Sequence, residues 1–305
     1  MTDSLNFLLD CDPGIDDAFA IFCALAYGRV DAITTVSGNV SIDNTTRNAL
    51  HLLDLAGVEI PVYRGADRPL RVDRVTAGEI HGVSGLGNYE VPAPGRDVEQ
   101  TTAVDALIEY CAEGDSVIVA TGPLTNIALA LEVDPTIAER IAHLYWMGGG
   151  TTKGNVTPVA EFNAWCDPDA AAITMMSGIP ITMFDLDLTH QVRLGQPELE
   201  RLRAARSKIS GFFADALEYY QLSNDDPSLG KPMHDPCALL GFLRPDHFTF
   251  QPSNIVCLHT TDEQRGRTLV RFDEQDLPHR VAVSADVKEV IELILMAIID
   301  PGGAQ

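Results

Sequence analysis

The sequence predicts an α/β fold, a mostly parallel central sheet with helices on both faces. Three observations carry it. Short apolar or β-branched runs alternate with helix-period segments along the chain. The apolar runs repeatedly end in small polar clusters, Asp10-Cys11-Asp12, Ser37-Gly38-Asn39, Thr121-Gly122 and Met147-Gly148-Gly149-Gly150. No linker and no internal repeat interrupts the alternation, so residues 1–305 are read as a single domain.

The first strand is Phe7-Leu8-Leu9, followed by a Pro13-Gly14 turn and a helix starting near Asp16. Residues 31–36 form a β-branched strand, 45–56 an amphipathic helix, and 61–63 a short strand. From Gly65 to about Gln100 the chain reads as a long loop, glycine-rich around His81. A helix over 102–111, a buried strand over 116–120, a helix to about Leu131 and a strand over 143–147 follow. Asp167-Pro168-Asp169 has the chemistry of an N-cap and first turn, leading a helix through Met176. After a strand over 181–184, Asp185 and Asp187 are expected to cap a turn. An amphipathic helix over 209–221 carries Tyr219 and Tyr220, whose spacing suits a core. Residues 223–233 read as a flexible loop closing at His234-Asp235-Pro236, before an apolar helix over 237–242. Strands near 254–259, 268–272 and 280–283 and a helix over 286–299 complete the chain.

The net charge of −23 argues against nucleic-acid binding, which needs clustered Lys and Arg. The six cysteines are scattered without a CxxC pair and are expected to be buried free thiols in a reducing compartment. The N-terminus shows no signal-peptide pattern, and no stretch is long enough to span a bilayer, so a cytoplasmic location is expected.

A parallel sheet places its strand C-termini along one edge, which here gathers Asp10, Asp12, Asn39, Thr121 and Met147. Loops around His81, Asn155–Asn163 and His234-Asp235 can fold over that edge. Four carboxylates within Asp10–Asp17, bracketed by apolar sequence, repel one another unless a cation compensates. Their all-oxygen donor set points to a hard cation, Ca²⁺ or Mg²⁺. No Ser or Cys stands in a nucleophile-elbow context, so the chemistry suggested is water activated by a metal and a carboxylate base.

Asp10-Cys11-Asp12-Pro13-Gly14-Ile15-Asp16-Asp17-Ala18 resembles the signature of the inosine–uridine preferring nucleoside hydrolases. Thr34–Asn39, Ile80-His81-Gly82, Ala120–Asn126, Met147–Gly150, Gly154-Asn155, Val159–Asn163 and His234-Asp235-Pro236 complete the set in order, over nearly the whole chain. The resemblance implies calcium-dependent hydrolysis of the N-glycosidic bond of ribonucleosides, giving ribose and a free base. It places Ca²⁺ on Asp12, Asp17, Asp235 and the main-chain carbonyl of Thr121, with Asp10 supporting that shell. Asp12 is implied as the general base toward water. Asp16, Asn155, Glu161 and Asn163 are implied at the ribose hydroxyls, with Asn39 and Met147 close by, and His81 and His234 at the nucleobase. Relatives of this family are homodimers or homotetramers, which the resemblance extends to this chain.

One departure bears on the base. Purine-capable relatives carry a second aromatic about a turn beyond the Tyr219 position, where this chain reads Gln221-Leu222-Ser223-Asn224. The expectation is therefore a pyrimidine, or mixed inosine–uridine, preference. Two other classes start from similar residues. A haloacid-dehalogenase-like phosphatase also opens with Asp-x-Asp after a strand, but wants Thr or Val two residues after the second Asp, where Pro13-Gly14-Ile15 intervenes. A non-catalytic calcium- or sugar-binding protein would have no need of a base-facing His234.

Overall fold

The computed structural model describes residues 5–223, 229–260, 262–272 and 278–301. In chain order the elements are β1 (Asn6–Cys11), α1 (Ile15–Tyr27), β2 (Arg29–Thr35), α2 (Ile42–Ala56), β3 (Val62–Arg64), α3 (Gly78–His81), α4 (Ala103–Tyr110), β4 (Ser116–Ala120), α5 (Thr125–Val133), β5 (Ile141–Met147), α6 (Phe162–Cys166) and α7 (Pro168–Met176). The second half holds β6 (Ile181–Phe184), α8 (Leu186–Thr189), β7 (Arg193–Leu194), α9 (Gln196–Ala205), α10 (Lys208–Gln221), β8 (Lys231–Pro232), α11 (His234–Leu243), β9 (Phe248–Cys257), β10 (Thr268–Arg271), β11 (His279–Ala285) and α12 (Val287–Ile299).

Among the described residues, nine strands form one sheet in the order β10-β9-β11-β6-β5-β4-β1-β2-β3. Pairings from β3 across to β11 are all parallel, and β9 and β10 add an antiparallel edge. The expected mostly parallel sheet is thus observed. Its parallel strands are nearly continuous apolar runs because both faces are covered. One face packs under α1, α10, α11 and α12, around Phe7, Phe19, Phe213 and Leu239. The other packs under α5 and α7, around Leu8, Ile118, Leu144 and Trp146. The chain runs outward from β1 through β2 to β3, then returns to the opposite side of β1 as β4. This reversal opens a crevice beyond the C-terminal ends of β1 and β4, where open α/β sheets bind ligands.

Local chemistry explains most boundaries. Ser41 caps α2 by accepting from Asn44 N, and Gly57 ends it with φ 71°. Asp167 caps α7 through Ala170 N, as its sequence position predicts. Asp185 accepts from the main chain of Asp187 and Leu188, so it is a cap as expected.

The structure corrects several boundaries. α11 begins at His234 rather than Cys237, because Pro236 is tolerated in a first turn whose N–H groups have no helical acceptor. β9 begins at Phe248, where Phe248 and Phe250 pack edge-on against Phe184 and hold the strand in register. The long segment after Gly65 contains the helical turn α3, and α9 is a further helix that the hydrophobic pattern did not reveal. All six cysteines are buried and free. Among the described residues, no helix is long and apolar enough to cross a membrane.

Candidate active site

The N-terminus of α1 carries Asp16 and Asp17, and that of α11 carries His234 and Asp235. The two helices pack side by side on the same sheet face. Carboxylate atoms of Asp16, Asp17 and Asp235 lie within 4.8 Å of one another, all buried. Both helix N-termini present partial positive charge to this cluster.

Asp17 is held from several sides. Its Oδ2 accepts from Gly14 N (2.9 Å) and Asn39 Nδ2 (3.0 Å), and its Oδ1 accepts from Thr121 Oγ1 (2.8 Å). Asp12 is fully buried beside it, with Oδ2 accepting from Asn39 N at 2.7 Å and Oδ1 without a partner among the described residues. Asp16 Oδ1 is likewise buried without a hydrogen-bond partner. Asp10 lies within β1, where Thr34 Oγ1 (2.6 Å) and Asn126 Nδ2 (2.7 Å) donate to its Oδ1. Asn126 also donates to Thr35 O, so it fastens the ends of β1, β2 and α5 together behind the carboxylates.

Burial raises every one of these acids above the usual carboxylate range. For Asp12 the neighbouring Asp17 charge adds to it, and for Asp235 the charges of Asp16, Asp17 and Asp12 do so. Asp16 is pushed up to about 7 by burial and by Asp17, and Asp10 to about 6 by burial. Four mutually repelling buried carboxylates, two with orphaned oxygens, form a cluster suited to a cation. The donors are all oxygen, so the residues fit a hard divalent ion.

The sequence-based ligand set and the structure overlap without being identical. Asp17 and Asp235 are in the tight cluster. Asp16, expected at the ribose, is there too. Asp12 is buried beneath the main chain of Asn39. The Thr121 carbonyl accepts from Asn163 Nδ2 at 2.8 Å, which leaves its second lone pair.

Gly38 and Gly122 explain two motif positions. A Cβ on Gly38 would lie 2.0 Å from Asp12 Oδ2, and one on Gly122 would lie 2.7 Å from Asp12 Oδ1. The carboxylate therefore nests between two bare backbone segments at the ends of β2 and β4. If Asp12 has the role the resemblance implies, Gly38→Ala is expected to displace it and lower kcat about 100-fold, the cost of a shift near 1 Å in a catalytic group. Gly211→Ala, where the new Cβ meets nothing within 4 Å, is the control and should leave kcat unchanged. Equal kcat in both variants would count against the cradle.

In front of the carboxylates is a cavity of about 370 Å³, whose wall includes Asp16, Asn39, Thr121, Asn155, Glu161 and Asn163. Glu161 caps α6, accepting from Asn163 N (2.8 Å), Ala164 N (3.1 Å) and Gly149 N (2.8 Å), yet burial pushes it up to about 7. Asn163 Nδ2 also reaches Met147 O at 3.1 Å, and Asn155 Oδ1 accepts from Phe162 N at 2.9 Å. Met147 ends β5 on the same wall. The lining also holds His81, whose Nδ1 lies 3.9 Å from Asp16 Oδ1, together with His234 and Tyr220. His81 Nδ1 accepts from Ile15 N (3.1 Å), so Nε2 carries the proton, and burial pushes its pKa down to about 3. His234 Nδ1 shares a hydrogen bond with Thr189 Oγ1 (2.8 Å), and burial holds this imidazole well below its usual value.

All the expected site residues thus converge on one region. Three further lining residues, His190, Arg193 and Lys231, stand in none of the motifs quoted from the sequence. In the structure the His190 ring centroid is 5.5 Å from that of His234. Tyr220 belongs to the cavity wall, whereas Tyr219 packs against Gly87. Trp165 packs under the Arg265 guanidinium at 4.0 Å, outside the cavity. Asn224 lies outside the described residues.

The family model for inosine-uridine preferring nucleoside hydrolases matches residues 7–292. The chain belongs to this family. It is 42% identical over 254 residues to a pyrimidine-specific ribonucleoside hydrolase RihA of Citrobacter koseri, covering 81% of each chain. It is 40% identical over 271 residues to the RihA of Shewanella woodyi, covering 86% of this chain and 87% of that one. Among solved structures, a purine-preferring ribonucleoside hydrolase from Gardnerella vaginalis superposes with a TM-score of 0.91 at 34% identity, over 97% of this chain and 98% of that one. A plant nucleoside hydrolase, PpNRh1, gives the same TM-score of 0.91 and identity of 34%, over 97% and 99%. The protein is a nucleoside hydrolase, an enzyme of N-glycosidic bonds. The phosphatase and non-catalytic readings are thereby set aside.

Proposed function

We propose that this nucleoside hydrolase is a calcium-dependent enzyme with a preference for pyrimidine ribonucleosides. The observation that carries the metal is the buried cluster of Asp16, Asp17 and Asp235, with Asp12 beside it and an orphaned oxygen on both Asp12 and Asp16. Calcium suits it because Ca²⁺ accepts many oxygen ligands in flexible geometry, whereas Mg²⁺ demands a near-ideal octahedron. When bound, the ion supplies Lewis acidity and neutralises the clustered charge. Asp12 accepts a proton from the attacking water, and its uncapped Oδ1 is the atom for this. The C1′–N bond breaks with its electron pair leaving on the base, the water oxygen bonds to C1′, and the base takes a proton from solvent while Asp12 returns its own. Asp16, Asn155, Glu161 and Asn163 bind the ribose hydroxyls. Their negative and amide groups favour an oxocarbenium-like sugar over the neutral ground state.

The base preference rests on the two RihA relatives, whose names state pyrimidine specificity, and on the absence of an aromatic at Gln221-Leu222-Ser223. Leu222 is 77% exposed and contributes no wall to the cavity. The Gardnerella vaginalis structure, named purine-preferring, marks the other outcome. A panel of uridine, cytidine, inosine and adenosine, read by free-base release, decides between them; inosine as the better substrate by kcat/KM would overturn the pyrimidine assignment. The same panel run with 2′-deoxyuridine should show discrimination on the order of 10⁴-fold, because a site built to bond a hydroxyl leaves buried polar groups unpaired when it is missing. Comparable rates for uridine and 2′-deoxyuridine would remove the ribose assignment of Asp16 and its neighbours.

A further inference from the structure

The base-facing wall poses a charge problem. Of the histidines expected there, His81 is a neutral imidazole because its Nδ1 accepts from Ile15 N, and His234 has its Nδ1 engaged with Thr189 Oγ1. A neutral imidazole can donate a hydrogen bond from Nε2, but it cannot balance the electron pair that a departing base carries away. A positive group in the same wall can.

Lys231 is such a group. It stands three residues before His234 in the two-residue strand β8, which pairs with β7 through Leu194 opposite Lys231. The residue is 9% exposed, and what it exposes faces the cavity that also holds His81, His234 and Asp16. Its ammonium donates to Ser223 Oγ at 2.6 Å and lies 4.6 Å from the centroid of the Tyr220 ring, another cavity wall.

We propose that Lys231 is a further catalytic and specificity-determining residue, whose ammonium contacts a carbonyl oxygen of the leaving nucleobase and stabilises the negative charge that gathers there as the C1′–N bond breaks. This role rests on the hydrolase function proposed above. Lys231 transfers no proton in this step. It offsets charge on a base whose electron pair is delocalised onto its ring carbonyls, and solvent protonates the base after departure. Bases with a carbonyl next to the departing nitrogen are thereby favoured, and pyrimidines carry one there. Ser223 and Tyr220 position the ammonium.

The test compares kcat/KM for uridine with that for 4-nitrophenyl riboside, whose leaving group disperses its own charge into the nitroaromatic ring. Lys231→Met should lower the uridine value about tenfold to a hundredfold more than the 4-nitrophenyl value, the range for losing a charged hydrogen bond. Lys231→Gln should do the same, and Lys231→Arg should recover part of the loss. A ratio of two activities is independent of how much of the variant is folded, so even a destabilised preparation reports the effect. Equal loss on both substrates assigns Lys231 a purely structural part and overturns the proposal, as does an unchanged ratio. Wild-type protein that releases base from no ribonucleoside overturns the underlying function and this role with it, whereas wild-type turnover with an unshifted ratio overturns the Lys231 role alone.

Discussion

Asp12→Asn is expected to lower kcat about 10³- to 10⁴-fold with the fold intact, the upper range for loss of a general base. The amide keeps the shape of the carboxylate and can still accept from Asn39 N, but it cannot take a proton from water. The nest formed by Gly38 and Gly122 holds either side chain in place. In excess chelator the variant should be more stable than the parent. It has one fewer member in a set of buried acids whose mutual repulsion raises their pKa values. A kcat within tenfold of the parent would remove Asp12 as the base. Reduced thermal stability in chelator would argue that the carboxylates do not repel as described.

Chelation should remove activity, and added Ca²⁺ should restore it. The expected residual turnover is below about 1%, since the acid cluster is left without compensating charge and the ion's several kcal/mol of transition-state stabilisation is lost. A second readout does not depend on turnover. An ion bound only by the folded chain stabilises it by about 4 kcal/mol at a thousandfold excess over Kd. Calorimetry should therefore show Tm rising by several degrees with Ca²⁺, and less in a variant lacking Asp235. Full activity in excess chelator, with no shift in Tm on adding Ca²⁺, would dismiss the metal.

Much of the site is legible along the chain because it is built at strand ends. A buried parallel strand is a compact apolar run, and the polar residues just after it must face the crevice, so Asp10, Asp12, Asn39, Thr121 and Met147 stand out as a set. The amphipathic pattern locates the larger helices for the same reason. What escapes is short or charged. α9 is polar enough that its buried Leu199 and Leu202 set no clear period. β7 and β8 are two residues each, too short for any alternation, yet their pairing delivers Lys231 and Arg193 to the cavity. His190 follows a helix of four residues, and its proximity to His234 arises only through tertiary packing. The family resemblance sends Asp16 to the ribose, and spacing cannot say which of two adjacent acids turns toward Asp235; in the folded chain both do.

The reversal of strand order at β1 has a consequence for how the enzyme comes into being. Asp12, Thr121 and Asp235 arrive from the ends of β1 and β4 and the start of α11, so the acid cluster is complete only when the chain has been assembled through most of its length. Any fragment ending before α11 lacks Asp235. A cation that needs all three, as proposed for calcium, is then captured only by the finished molecule.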